Sequence, residues 1–592
     1  MNGDLKPHAI FIAYPLQGHV NPSVHLARKL AENGFTITFI NTQYVHHKSS
    51  RAGGNKDDDI FVDARKSGLD IRYATISDGL PVGFDRSLNH DQYMAALLHV
   101  FSAHAEEAVE NILKSGESVN CLIADTFFVW PAKLAKKFGL LYVSYWTEPA
   151  LVFSQYYHMD LLRMNSHYDC LDKRDEPIDY IPGVKSIEPK DMTSFLQATD
   201  TTTVCHQIIH NAFEDVRGAD IVLCNTVYEL ESDTISALQS KIPFYAIGPI
   251  IPFGITKNIV PTSLWAESDC TQWLDTKPHG SVLYVSFGSY AHLTKIDLIE
   301  IANGLLESNV SFVWVLRPDI VSSNDLNPLP NGFVEEMGDR GMIIKWCSQM
   351  HVLRHPAIGG FLSHCGWNSV MESMWSERPL LCFPLYTDQF TNRKLVVDDW
   401  KIGINLCERT VTKAEVSKNI NCLMNGKLSS ELRDKIKRLK NILASALRSD
   451  GSSEKNVEQF IIDMKINFTI VPVLHEVKFR KQVREPAEVP NHQTTIAATH
   501  VPLEIFAFPL TTQKDLLQQL ARFPDIKIIK ARTTADIARI SQSLNQEIIS
   551  EIESKAKLLV PLSSSATKLA RILSTSVNES KISFPVIESK VA

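Results

Sequence analysis

The sequence repeatedly places a short apolar run before a turn of small or polar residues and a helical pattern. The runs of the first half are AIFIAY (9–14), FTITFIN (35–41), CLIADTFFVW (121–130) and LLYVSYW (140–146). Those of the second half are SVLYVSF, SFVWVLR, GMIIKW, GGFLSH and PLLCFP. Apolar strands that alternate with helices form parallel sheets covered by helices on both faces. The two series therefore predict two α/β lobes, each built on a doubly wound sheet.

One turn in the second series has the properties of an anion site. The apolar strand 359–362 is followed by the turn SHCG and by a helical pattern that begins at Asn368 or Ser369. A helix N-terminus offers unpaired backbone N–H groups and a positive dipole end, and both attract phosphate. His364 and Asn368 add side-chain donors at this point, and Gly366 allows a close backbone approach.

Neighbouring residues extend this prediction from a phosphate to a nucleotide sugar. Glu372 lies on the same helix face as the anion site, where a carboxylate can accept hydrogen bonds from both ribose hydroxyls. Trp346 offers a flat surface for a base, and Asp388 with Gln389 can bind the hydroxyls of a sugar. The alternative is an ordinary strand, turn and helix with one core tryptophan, which is the simpler interpretation of any single residue.

Composition narrows the class of protein. A chain of 592 residues has room for two or three domains, and its net charge of -7 argues against nucleic acid or an anionic membrane as the main partner. No apolar run has the 18 or more residues of a membrane-spanning helix, and the N-terminus lacks the basic and apolar regions of a signal peptide. The ten cysteines include no C-x-x-C pair, so neither a metal cluster nor a disulfide framework is indicated. We expect a soluble cytoplasmic protein.

Over its whole length the segment 346–389 resembles the signature box of the plant family 1 UDP-dependent glycosyltransferases, which glucosylate small metabolites. The shared residues are Trp346, Gln349, Leu353, His355, Gly360, Phe361, the run 364–369, Glu372, Pro379, Pro384, Asp388 and Gln389. The resemblance implies the glycosyltransferase-B fold, in which two Rossmann-like lobes face each other across a cleft. It also implies UDP-glucose as donor co-substrate, no permanently bound cofactor and no metal. The residues implied to bind the UDP-sugar are Ser289, Trp346, Cys347, Gln349, His364, Gly366, Trp367, Asn368, Ser369, Glu372, Tyr386, Asp388, Gln389 and Thr147.

The first half contains a candidate catalytic pair. The stretch YPLQGHVNP resembles the family's N-terminal motif, in which the histidine equivalent to His19 is the catalytic base. Asp125 ends the strand CLIAD, where the family places an aspartate as partner of that histidine. Such a carboxylate fixes the imidazole tautomer and stabilises the imidazolium that forms on proton uptake. Position alone is also compatible with a packed or capping histidine and a capping aspartate, and the resemblance favours the catalytic interpretation.

The resemblance implies an inverting transfer that produces a β-glucoside. His19 would remove the proton of an acceptor hydroxyl, while His364, Ser289 and the helix N-terminus would hold the departing UDP. Gln389 resembles the glucose-using members, where galactose users tend to have histidine, and Trp367 stands where glucuronate users tend to have arginine. The expected acceptor is a small lipophilic hydroxylated or carboxylated plant metabolite, such as a flavonoid, phenolic or terpenoid. Candidates for lining its pocket are Phe84, Phe127, Tyr145 and Phe195.

An alternative function is a catalytically idle relative that binds a UDP-sugar or a metabolite as a sensor. The presence of both His19 and Asp125 argues against it. Three residues depart from the family pattern. Ser348 replaces a common proline, and Glu377 and Arg378 replace a Gly-Val pair. If position 377 needs a positive φ angle, a glutamate there costs about 1 kcal/mol.

The predicted organisation is a monomer with five parts. Residues 1–245 form an acceptor-binding lobe with the catalytic base, 246–270 a linker, 271–450 a UDP-sugar-binding lobe, 451–466 a helix that returns to the first lobe, and 467–592 an atypical extension. The extension has a net charge of +4 and contains no Gly, Cys, Met, Trp or Tyr. It contains two strand-like runs and one amphipathic helical pattern, and it resembles no family. The alternatives are a partner-binding appendage, a small fused domain, or sequence joined by faulty gene prediction, and the last is favoured.

Overall fold

The computed structural model describes residues 6–53, 59–169, 175–251, 262–321, 328–407 and 410–465. The strands within these ranges are β1 His8–Ile12, β2 Thr36–Thr42, β3 Ile71–Ile76, β4 Cys121–Asp125, β5 Leu141–Trp146, β6 Ile221–Cys224, β7 Phe244–Ala246, β8 Val282–Ser286, β9 Ser311–Val315, β10 Gly341–Ile344, β11 Ile358–Ser363, β12 Leu380–Cys382 and β13 Gly403–Asn405.

The α-helices in the same ranges are α1 Gln17–Glu32, α2 Gln43–Gly53, α3 Val62–Lys66, α4 His90–His99, α5 Phe101–Lys114, α6 Pro131–Phe138, α7 Ala150–Tyr157, α8 Met159–Met164, α9 Ser194–Gln197, α10 Val204–Asp215, α11 Ser232–Gln239, α12 Thr271–Asp275, α13 Lys295–Ser308, α14 Phe333–Met337, α15 Gln349–Arg354, α16 Trp367–Trp375, α17 Gln389–Lys394, α18 Lys413–Met424 and α19 Gly426–Ala446. Residues 452–465 are also helical. Short 3₁₀ turns occur at Pro189–Asp191, Val216–Gly218, Tyr228–Leu230 and Gly338–Arg340, and a π turn at Leu395–Asp399.

The strands form two parallel sheets, which confirms the predicted pair of doubly wound lobes. The first sheet has the order β3-β2-β1-β4-β5-β6-β7, and the second has the order β10-β9-β8-β11-β12-β13. Central strands such as β1, β4 and β8 are buried along their whole length, because helices cover both faces of each sheet. In each sheet the strand order reverses once, between β1 and β4 and between β8 and β11. Loops at the carboxyl ends of strands diverge at such a reversal and leave a crevice where ligands bind.

Two helix starts differ from the sequence-based prediction. Helix α1 begins at Gln17, so His19 lies in its first turn rather than in a preceding loop. Helix α16 begins at Trp367, one residue before the predicted start. Four strands, β3, β6, β7 and β13, are not among the apolar runs identified in the sequence. The edge strand β3 has only two buried residues, so its apolar signal is weak.

The C-terminal helical run 452–465 packs on the first sheet. Val457, Phe460 and Met464 join the apolar core of that lobe, and the Phe460 ring stacks on Phe35 with 6.3 Å between ring centroids. The amide of Asn456 donates to the carbonyl oxygen of Ala246 at 2.8 Å. In the described residues no helix combines the length and the apolar character that a membrane crossing requires. The strands and the amphipathic helix predicted in 467–592 lie outside the described residues.

Candidate active site

The strand reversal of the first sheet brings His19 and Asp125 together. Strands β1 and β4 pair in register, with Ile12 beside Ala124, so the residues that follow them share one edge. His19 Nδ1 lies 2.8 Å from Asp125 Oδ2 and 3.0 Å from the hydroxyl of Thr147, which follows β5. Both contacts use the same ring nitrogen. His19 Nε2 is therefore the nitrogen that remains to accept a proton.

The start of α1 is hydrogen-bonded to the second lobe, because a proline in the helix leaves one backbone carbonyl without its usual donor. Pro22 has no N–H group and cannot donate to the carbonyl of Gly18, four residues earlier in the helix. The side-chain amide of Asn368, at the start of α16, donates to that carbonyl instead at 2.7 Å. This hydrogen bond joins the two lobes next to His19 on one side and at the predicted anion site on the other.

At the reversal of the second sheet, the His364 ring lies between two glycines. A Cβ atom at Gly288 would lie 2.5 Å from His364 Nε2, and one at Gly366 would lie 2.6 Å from the same atom. Gly288 also has a φ of 73°, which favours glycine. Burial, together with the charge of Arg317, lowers the pKa of His364 to about 4. The imidazole is therefore neutral at pH 7 and can serve as an uncharged hydrogen-bond donor.

Arg317 holds the loop that follows β8. Its guanidinium is almost fully buried and donates to the carbonyl oxygens of Gly288 and Ala291 and to the carboxylate of Asp319. These contacts fix the turn that contains Ser289. The sequence analysis did not identify Arg317, although a lone arginine directly after a buried apolar run is a usable signal.

The first turns of α16 carry the residues predicted to meet a nucleoside. The Gln349 amide donates to Glu372 at 2.8 Å and to the Ser369 hydroxyl at 2.9 Å. Burial raises the pKa of Glu372 to about 7 despite the hydrogen bond from Gln349. The first backbone N–H groups of α16, from Trp367 onward, have no acceptor within the helix and are left for an anion.

The residues predicted to bind a sugar are held in fixed orientations. The Gln389 side-chain oxygen accepts from the backbone N–H groups of Leu385 and Tyr386, both at 2.9 Å, which leaves its amide nitrogen for a ligand. The buried Asp388 carboxylate accepts from Thr387 at 2.7 Å. The Trp367 indole donates to the carbonyl of Asn225 at 2.7 Å, so its backbone N–H is the group left for a ligand.

One cavity of about 660 Å³ lies among these groups. Its wall contains His19 and every residue predicted to bind the UDP-sugar, namely Ser289, Trp346, Cys347, Gln349, His364, Gly366, Trp367, Asn368, Ser369, Glu372, Tyr386, Asp388, Gln389 and Thr147. Asp125 lies behind His19, outside the wall and 1% exposed. Of the aromatic residues predicted to line an acceptor pocket, Phe127 and Phe195 are in the wall.

The other two aromatic predictions are wrong. Tyr145 is buried in the apolar core of the first lobe, where its ring lies 6.0 Å from that of Phe11. Phe84 is half-buried and does not contribute to the cavity wall. Sequence analysis also missed Glu148, which lines the cavity directly after Thr147. Its signal is a carboxylate at the carboxyl end of a buried parallel strand.

The departure at position 377 has a structural consequence. Glu377 has a φ of 57°, in the left-handed region that a glycine would occupy without strain. Its carboxylate is paired with Lys440 at 2.8 Å, which partly compensates. The Arg378 guanidinium donates to the carbonyls of Leu353 and His355. Both replacements are therefore accommodated away from the cavity.

The fold and the site together define a glycosyltransferase of the glycosyltransferase-B class. Residues 264–442 match the family model described as "UDP-glucoronosyl and UDP-glucosyl transferase". UDP-glycosyltransferase 86A2 of Arabidopsis thaliana is 62% identical over 458 residues, which cover 77% of this chain and 94% of that protein. The chain belongs to the plant family 1 UDP-glycosyltransferases.

Solved structures agree with this assignment. Medicago truncatula UGT71G1, complexed with UDP-glucose, has a TM-score of 0.66 and 26% identity, and the match covers 78% of this chain and 99% of that one. Phytolacca americana UGT2, complexed with UDP-2fluoro-glucose and pterostilbene, has a TM-score of 0.63 and 26% identity, with coverage of 78% and 99%.

Proposed function

We propose that the protein transfers glucose from UDP-glucose, with inversion, to a hydroxyl of a small lipophilic metabolite. The observation that carries the proposal is the contact at 2.8 Å between His19 Nδ1 and Asp125 Oδ2, because His19 lies in the cavity wall that also contains the predicted donor residues. Because Asp125 and Thr147 occupy Nδ1, the neutral ring keeps its proton there and presents Nε2 to the cavity.

The reaction follows from these positions. His19 Nε2 accepts the proton of the acceptor hydroxyl, and the resulting oxygen nucleophile attacks the anomeric carbon from the face opposite UDP. The bond between the anomeric carbon and the phosphate oxygen breaks, and the diphosphate takes the electron pair. Neutral His364, Ser289 and the N-terminus of α16 stabilise the charge of the departing diphosphate. The product is a β-glucoside, and the proton ends on His19.

The donor assignment rests on the sugar end of the cavity. The Gln389 amide nitrogen and the Asp388 carboxylate supply a donor and an acceptor for neutral hexose hydroxyls. A uronate carboxylate would require a cation, and the described residues of the wall include no lysine or arginine. Related proteins crystallised with UDP-glucose and UDP-2fluoro-glucose support the same choice. We propose further that the first lobe binds the acceptor, that the second binds the donor, and that the monomeric enzyme acts in the cytoplasm in secondary metabolism.

The test is release of UDP from UDP-glucose with flavonols, simple phenols, terpenoid alcohols and hormone-like acids as acceptors. For an active acceptor, His19→Ala should lower kcat by about 10²- to 10⁴-fold, the range for loss of a general base. His25→Ala, on the same helix and also in the cavity wall, is the matched control. Equal rates for wild type and His19→Ala would contradict the base assignment. Binding of UDP without transfer to any acceptor would instead support a sensor.

A further inference from the structure

The described residues of the cavity wall include acidic side chains but no basic side chain of lysine or arginine. Four carboxyl side chains line the wall, from Glu148, Glu267, Glu372 and Asp388. The proposed function uses Glu372 for the ribose and Asp388 for the sugar. Glu267 is exposed to solvent near the Trp346 end. Glu148 is the carboxyl for which the donor side of the reaction has no role.

Histidines in the wall do not replace the missing cations. Burial lowers the pKa of His25 to about 4 and also lowers the pKa of His90. The pKa of His364 is likewise about 4, and the proposed base must be unprotonated in order to act. The buried guanidinium of Arg317 lies behind the turn at Gly288, paired with Asp319, and is not part of the wall.

Glu148 is held in a fixed loop next to the catalytic base. Its neighbour Thr147 bonds to His19 Nδ1, and its own backbone carbonyl accepts from the thiol of Cys224 at 3.5 Å. The next carbonyl, of Pro149, accepts from the Trp146 indole at 2.9 Å. Glu148 is 8% exposed, and no hydrogen bond from the described residues satisfies its carboxyl. A buried carboxyl in a ligand cavity without a protein partner is available to a ligand.

The surroundings of Glu148 penalise negative charge. Burial, and then the carboxyl groups of Asp388 and Asp125, raise its pKa well above the ordinary range of a glutamate. A carboxylate of a bound acceptor at this place would meet the same desolvation and the same neighbours, and no lysine or arginine among the described residues of the wall would offset them. An ammonium group at this place would be stabilised, because Glu148 can lose its proton and form an ion pair with the ammonium.

We propose that Glu148 contacts the acceptor and makes the acceptor site selective for charge, so that neutral or amine-bearing hydroxylated molecules bind and carboxylated ones are rejected. This inference rests on the proposed function and narrows it, since the sequence also allowed carboxylated acceptors. Glu148 donates to, or accepts from, a polar group of a neutral acceptor, and its ionised form pairs with an ammonium group.

The experiment uses three versions of each hydroxylated skeleton, phenolic, cinnamic and terpenoid: a carboxylic acid, its methyl ester and the corresponding amine. With wild-type protein the acid should have a kcat/KM at least about 100-fold below the ester, because burying a charge near like charges costs several kcal/mol. Glu148→Gln keeps the shape of the side chain and its ability to form hydrogen bonds with an acceptor, but the side chain cannot ionise. It should lower the amine-to-ester ratio of kcat/KM by about tenfold, since the ammonium is left unpaired. Glu267→Gln, the same change at the exposed end, should leave that ratio unchanged.

The outcomes are distinguishable. If wild-type protein uses an acid as well as its ester, charge selection is wrong. If Glu148→Gln leaves the amine-to-ester ratio unchanged while its circular dichroism matches the wild type, the assignment to Glu148 is wrong. Binding of the acid, the ester and the amine of each skeleton can also be measured in the presence of UDP by tryptophan fluorescence. The order of their affinities then reports charge selection even without turnover. If the ester and the amine bind more tightly than the acid but glucose is transferred to none of them, the proposed function is wrong and the charge selection still holds.

Discussion

Each sheet has a histidine next to its reversal of strand order, and the two histidines have opposite properties. His19 follows β1 and His364 follows β11, so they lie on opposite sides of the two reversals. His19 in the first lobe contacts a carboxylate and a hydroxyl through one nitrogen, and its other nitrogen is free for chemistry. His364 in the second lobe lies between Gly288 and Gly366, near the guanidinium of Arg317, and no carboxylate of the described residues pairs with it. An acidic neighbour supports a ring that takes up a proton, whereas burial beside a cation keeps a ring neutral.

Under the proposed function, the two histidines would serve two ends of one reaction. His19 would accept a proton, so its imidazolium needs an anion beside it. His364 would bind a diphosphate without a proton transfer, so a neutral donor that does not titrate near pH 7 is suitable. Topology provides two equivalent crevices, and the neighbouring side chains decide what each crevice does.

The largest expected effect comes from removing the acidic partner of the first histidine. Asp125→Asn keeps the size of the side chain but removes the carboxylate that holds the proton on His19 Nδ1. The ring can then adopt the other tautomer, in which Nε2 carries the proton and cannot accept one. We expect kcat to fall by about 100-fold or more, while KM for UDP-glucose changes by less than about threefold. Steady-state kinetics with one active acceptor would check this. An unchanged kcat would show that Asp125 has only a structural role.

For the second histidine we expect an effect on the donor rather than on proton transfer. His364→Ala removes one hydrogen bond to a charged group, which is worth about 1.5–3 kcal/mol, so KM for UDP-glucose should rise by about 10- to 100-fold. KM for the acceptor should change little. His25→Ala, which removes a half-buried histidine with a pKa of about 4, is the control and should not raise KM for the donor. A large rise for both variants would indicate a general loss of structure.

A pH dependence of donor binding should come from Glu372. Its pKa is raised to about 7, and ribose hydroxyls donate to the ionised form, so binding favours loss of the proton. The affinity for UDP-glucose should therefore increase as pH rises through 7, by up to about tenfold between pH 6 and 8. Titration calorimetry across this range is the measurement, and Glu372→Gln should give a flat profile. A sloped profile in the variant would assign the titration to another group.

The smallest expected effect lies away from both crevices. Glu377→Gly relieves a left-handed backbone conformation worth about 1 kcal/mol but removes a half-exposed ion pair with Lys440 worth less than that. The net gain in the free energy of unfolding should be about 0.5 kcal/mol, measured by denaturant unfolding, without any change in kcat. Lys440→Met removes the ion pair alone and should destabilise slightly. Destabilisation by Glu377→Gly would mean that the ion pair outweighs the strain.

The clustering of the predicted donor residues around one cavity could be foreseen because many of these residues are close together in sequence. The turn SHCG, the helix that follows and Glu372 one turn further on lie within fifteen residues, and Asp388 with Gln389 closes the same segment. Helix geometry alone places such residues on one face. Strand β4 also ends at Asp125 as predicted, since an apolar run that meets a carboxylate marks its own end.

Other features were not predictable because they depend on contacts between distant residues. Tyr145 and Phe127 are similar aromatic residues near strand ends, yet one is in the core and the other in the cavity wall. Glu148 could be noticed as a charge after a strand, but its burial near Asp388 arises only when the lobes meet. The link from Asn368 to Gly18 spans 350 positions, and only its proline-based cause is visible in the sequence.

From the sequence we could predict two parallel α/β lobes, which the structure confirms, and a nucleotide-sugar segment in the second lobe, which stays a prediction. Short-range periodicity and residue spacing carry that information, because strands, helices and the turns between them are set by neighbouring residues. The charge state of each group and the direction in which it faces depend on tertiary contacts. Burial, desolvation and partners from distant positions in the same lobe make His19 and His364 different, and the fold leaves Glu148 open to the cavity.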